Sequence, residues 1–118
     1  MIATTIEQSK KLLEIGIDSN TADMCWSIDI PDLPTLLAYP ITDCDNLENK
    51  IPAWSLGTLM ELMPKNKLWY LAYNIEQQKR EITFEVSEEN DEWHYEYADT
   101  YLDAAVEMVC WLKENKYI

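Results

Sequence analysis

The chain has 118 residues, 47% of them apolar and 26% charged, with a formal net charge of −13, so it can bury a core and is too apolar for an intrinsically disordered segment. That charge repels nucleic-acid phosphates and anionic lipid head groups, which argues against direct binding to either and favours a basic partner. No stretch of about 18 apolar residues occurs, residues 1–5 lead into no apolar run, and three cysteines without a Cys-x-x-Cys pair fit reduced thiols; one cytoplasmic, non-membrane domain spanning 1–118 is expected.

In chain order, the first predicted element is a helix. Thr4-x-x-Glu7 and Thr5-x-x-Gln8 both offer capping boxes, Ile6 and Leu13 lie seven apart, and Gly16 supplies a stop. The Cys-Trp-Ser-Ile-Asp-Ile run predicts a strand over residues 24–30, ended by Pro31 and Pro34. A short strand over 35–41 follows, confined to an edge by Pro40, and residues 42–50 read as a loop. Pro52 suits a first helical position, and Leu56, Leu59, Met60 and Met63 recur at helical steps up to Pro64, predicting a helix over 52–63.

Three strands then form a meander over 68–98: residues 68–74, 81–87 and 92–98. In the second, Ile82, Phe84 and Val86 alternate with Glu81, Thr83, Glu85 and Ser87, giving one apolar and one wet face. The last helix opens with the capping box Thr100-x-x-Asp103 and runs to about Lys113. Leu102, Ala105, Val106, Val109 and Leu112 form its stripe and Tyr101, Ala104, Met108 and Trp111 widen it, so it is buried on most of its circumference. The fold class expected is α+β: an antiparallel sheet of three to five strands packed by this helix and by the 52–63 helix.

Candidate chemistry is sparse. Asp43-x-Asp45-Asn46-x-Glu48 resembles the start of a calcium loop, but Leu47, Glu48 and Trp54 occupy the positions that need an oxygen ligand, a glycine and a bidentate acid, so no metal site is expected. His94 is the only histidine, facing with Glu92 and Glu96 and opposite Trp93, Tyr95 and Tyr97; it reads as exposed and structural. Of the cysteines, Cys25 reads as strand, Cys110 as core and Cys44 as the one exposed in a loop, with no motif that would make any of them a nucleophile. Gly16 and Gly57 are the only glycines, which excludes a glycine-rich phosphate cradle. No cofactor and no catalytic residue is expected.

Residues 85–107 hold nine acids and no base, and the chain has five Trp and seven Tyr against one Phe. Tyr and Trp carry apolar area with a polar edge, so Glu85, Glu92, Trp93, Tyr95, Glu96 and Tyr97 form a candidate surface for gripping a basic protein through aromatic and cation–π contacts. The competing reading is a half-buried strand whose aromatics fill the core and a charge that serves only solubility.

Thr21-Ala22-Asp23-Met24, Ile51-Pro52-Ala53-Trp54-Ser55-Leu56 with Leu59, Leu62 and Pro64, and Asp103-Ala104-Ala105-Val106-Glu107-Met108 with Trp111-Leu112 resemble small proteins of unassigned activity encoded in prophages and integrative elements of gut anaerobes. The resemblance spans most of the chain; it implies an accessory protein and carries over no functional residue. The function expected is a non-catalytic interaction or regulatory module. The alternatives are a nucleic-acid mimic that occupies a basic DNA-binding groove and an enzyme of unrecognised type.

Overall fold

A computed structural model describes residues 2–44 and 46–118; Asp45, in the calcium-like sequence, lies outside the described residues. The chain forms two compact units, Met1–Glu61 and Leu62–Ile118, each carrying its own three-stranded antiparallel sheet. Helices and antiparallel strands together make an α+β protein, its strands divided between two sheets. No helix among the described residues is long and apolar enough to cross a membrane.

In the first unit β1 (Met24–Ser27) is central, flanked by β2 (Thr35–Leu37) and β3 (Lys50–Ala53). β3 corrects the expected helix over 52–63. Lys50–Ala53 pairs along the whole of β1, with Pro52 opposite Cys25, and on an edge strand proline's missing N–H removes no inner ladder bond. The helix that remains, α2 (Leu56–Glu61), begins only after Ser55 and buries Leu59 fully. Asp23 fixes that start by accepting from the Ser55 amide at 2.9 Å, the Ser55 hydroxyl at 2.6 Å and the Thr58 hydroxyl at 3.0 Å.

α1 (Ile6–Glu14) opens with the Thr5/Gln8 capping box. It closes with Gly16 at φ 96°, where the Gly16 amide reaches Leu13 O and the Ile17 amide reaches Leu12 O, the paired bonds of a Schellman stop. The buried positions of α1 are Ser9 and Leu12, while Leu13, expected in the stripe, is 37% exposed. Thr4 joins the helix to the sheet: its hydroxyl meets Ser9 Oγ at 2.8 Å and accepts from the Trp54 amide at 3.0 Å.

In the second unit β4 (Trp69–Asn74), β5 (Lys79–Ser87) and β6 (Glu92–Ala98) form the expected meander in the order β4-β5-β6, with a bulge between Glu85 and Ser87. α3 (Tyr101–Glu114) is capped by the Thr100 hydroxyl, which accepts from the Asp103 amide at 3.1 Å, and it buries the predicted stripe, including Leu102, Val106, Val109 and Leu112. It also ends in a Schellman stop: Lys116, at φ 64°, donates to Lys113 O, and Tyr117 donates to Leu112 O. That stop turns the Tyr117 ring onto Phe84, 5.0 Å between centroids, while Trp111 meets Phe84 at 6.1 Å. α3 therefore covers the sheet face that carries Ile82 and Phe84.

Candidate protein-interaction face

Strand register decides which side chains share that covered face. Residues directly opposite in an antiparallel ladder point the same way. Phe84 pairs with Trp69 and His94, and Ile82 with Leu71 and Glu96, so His94 and Glu96 lie on the helix side. The His94 ring stacks on Trp111 at 3.8 Å and 9° between planes, and His94 Nε2 meets Glu96 Oε2 at 2.6 Å. Both side chains are about one-quarter exposed. His94 is thus structural, but not open to solvent as expected, and Glu96 is its tether and not an outward-facing acid.

The opposite face is built from Tyr70, Thr83 and Tyr95 across one row and Ala72, Glu81 and Tyr97 across the next, with Glu85 beside Trp93. Tyr70, Tyr95 and Tyr97 are 45%, 44% and 42% exposed. Tyr70 packs edge-on against Trp93 at 5.9 Å, and Tyr95 lies parallel to Tyr97 at 6.3 Å. Offset and edge-on pairs of this kind contribute about 0.5–1.5 kcal/mol each beyond their buried area. The rings form two aromatic pairs on one sheet face, with Tyr70, Tyr95 and Tyr97 open to solvent.

Beneath those rings the supposedly wet side of β5 is dry. Thr83 has no solvent exposure and Glu81 only 7%. The Thr83 hydroxyl donates to Glu81 Oε2 at 2.6 Å, and Asn74 Nδ2 donates to Glu81 Oε1 at 3.2 Å. Desolvation, then the Glu81 charge, then Tyr95 and a hydrogen bond to Glu81, push the Tyr97 phenol above its usual value of 10.0. These neutral donors satisfy the buried Glu81 carboxylate, which would be costly to leave unpaired there.

Of the sequence-predicted surface residues, the structure brings Glu85, Trp93, Tyr95 and Tyr97 together on this open face. Glu92 sits exposed at the start of β6, next to the exposed acids Glu88, Glu89 and Asp91 of the β5–β6 turn. Glu96 is on the other side. Tyr70, Asn74 and the Glu81–Thr83 floor were not anticipated. Their signal is the two-residue spacing of Tyr70, Ala72 and Asn74, which becomes meaningful only with the β4–β5 register. The two bases of β5 are engaged: Lys79 pairs with Asp99, and Arg80 Nη1 donates to Asp99 O at 2.8 Å with its guanidinium within 6.0 Å of the Tyr73 and Tyr101 rings.

No family model, curated protein or solved structure matches the chain.

Proposed function

We propose that this chain is a non-catalytic protein-interaction module whose binding surface is the open aromatic face of β4–β6, and that its partner presents a basic segment. The observation that carries the reading is the exposure of Tyr70, Tyr95 and Tyr97 on one sheet face above a buried, hydrogen-bonded carboxylate. An exposed sheet face of this composition is a ready interface: tyrosine and tryptophan give large contact area with few rotors to freeze, and their ring faces attract guanidinium and ammonium groups. The acids of the β5–β6 turn and Glu85 supply the complementary charge at its border. A cytoplasmic accessory role in a mobile genetic element is the setting we propose, in keeping with the sequence resemblance and the reduced thiols.

The test is affinity capture from a bacterial extract with the wild type, with Tyr95→Ala/Tyr97→Ala and with Glu85→Lys/Glu92→Lys, followed by association kinetics. Charge attraction at about 8 Å screening length acts on encounter, so the lysine variant should associate about tenfold more slowly and the wild type should slow as salt rises. The alanine variant should dissociate faster. A captured partner that ignores both variants and salt overturns the proposal.

A further inference from the structure

Cys25 and Cys44, nineteen residues apart, bring their sulfurs within 3.3 Å in the first unit. Cys25 sits on the central strand β1 with no solvent exposure; Cys44 follows a short 3₁₀ turn, Ile41–Asp43, and is half-buried. Closing a disulfide of about 2.05 Å from this separation needs an approach of roughly 1.2 Å. Cys44 also lines an open cleft of about 410 Å³ with Ser27, Asp29, Tyr39 and Lys50, the side from which a small molecule would approach it. We propose that Cys25 and Cys44 are a reversible dithiol–disulfide pair, oxidised by exchange with a small-molecule disulfide entering this cleft, and that the disulfide clamps the segment preceding β3 onto β1.

The two thiols have different parts. Cys25 is inaccessible, and burial first, then its hydrogen bond to and the charge of Cys44, push its pKa up to about 12; it holds its proton and does not meet the oxidant. Cys44 does. As a thiolate its sulfur attacks one sulfur of RS–SR; the new Cys44–SR bond forms, the RS–SR bond breaks, and RS⁻ departs to take up the proton that Cys44 released. Cys25 then loses its proton as its sulfur attacks Cys44 Sγ, expelling the second RS⁻, which is protonated in turn. Two protein thiols are oxidised and one RS–SR is reduced to two RSH. The second step is intramolecular between sulfurs already in contact, which offsets the small thiolate fraction of Cys25. Cys110, buried on α3 in the other unit, serves as an internal reference that keeps its thiol.

The experiment incubates the full chain, native and reduced, with oxidised glutathione, then quenches with acid, denatures and counts alkylatable thiols. The expected count falls from three to one, with a mass loss of two hydrogens, a proteolytic fragment joining residues 25 and 44, and full return on reduction. The oxidised form should melt several degrees higher. Cys44→Ser should keep both remaining thiols, and Cys25→Ser should stop at one glutathione on Cys44. Three surviving thiols in the wild type, or a wild-type mixed disulfide that never closes, would overturn the pairing. An unchanged melting temperature on closure would overturn the clamp. Because the thiol count is read on the wild type, an unstable Cys25→Ser does not weaken the test.

Discussion

Two acidic side chains, Glu81 and Asp23, act as hydrogen-bond hubs, and each makes a prediction at the scale of single atoms. Thr83→Val keeps the shape of β5 but strips Glu81 Oε2 of its 2.6 Å donor; in a site with 7% exposure this should cost about 1–2 kcal/mol, read by denaturant unfolding. An unchanged midpoint would mean water reaches the carboxylate. For Asp23, desolvation works to raise the pKa, but the Ser55 hydroxyl, the Ser55 amide and Thr58 outweigh it and hold the carboxyl below 3.8. A depressed folded-state pKa stabilises above the unfolded value and stops doing so as pH falls through the folded one. Asp23→Asn should therefore be less stable than the wild type at about pH 7, and the gap should narrow by about pH 3. A gap independent of pH would show that the carboxylate charge contributes nothing.

At the scale of elements, helix ends and the last helix were legible, because their causes are local. Thr5 with Gln8, Gly16 and Thr100 with Asp103 act within one turn, and the α3 stripe needs only periodicity. Strand β3 was not legible, since Ile51-Pro52-Ala53 is a strand only by virtue of pairing with Cys25 and its neighbours. The same limit hid the interaction face. Alternation put Trp93, Tyr95 and Tyr97 opposite Glu92, His94 and Glu96, but which set meets the helix follows from the pairing of Phe84 with His94. Two substitutions on α3 test this reading. Val109→Asp places a carboxylate at a position with no solvent exposure and should abolish cooperative unfolding; a near-normal melt would mean this flank of α3 is open. Lys116→Gly relieves a β-carbon held at φ 64° in the Schellman stop and should stabilise by about 1 kcal/mol. A loss of stability there would show that the lysine side chain outweighs the strain of its backbone.

For the whole molecule the dominant bulk property is a net charge of −13. Self-repulsion of that size is screened by salt, so raising sodium chloride from about 0.02 M to about 0.3 M should lift the melting temperature by a few degrees, and a decrease would contradict it. The central claim, that the chain works through the open face of β4–β6, is tested most directly by radical footprinting of tyrosine and tryptophan in the complex with the captured partner. Tyr70, Trp93, Tyr95 and Tyr97 should become protected, while Tyr39, 43% exposed on the first unit, should react as it does in the free protein. Protection confined to Tyr39, with those four unchanged, would contradict the account and move the interface to the first unit.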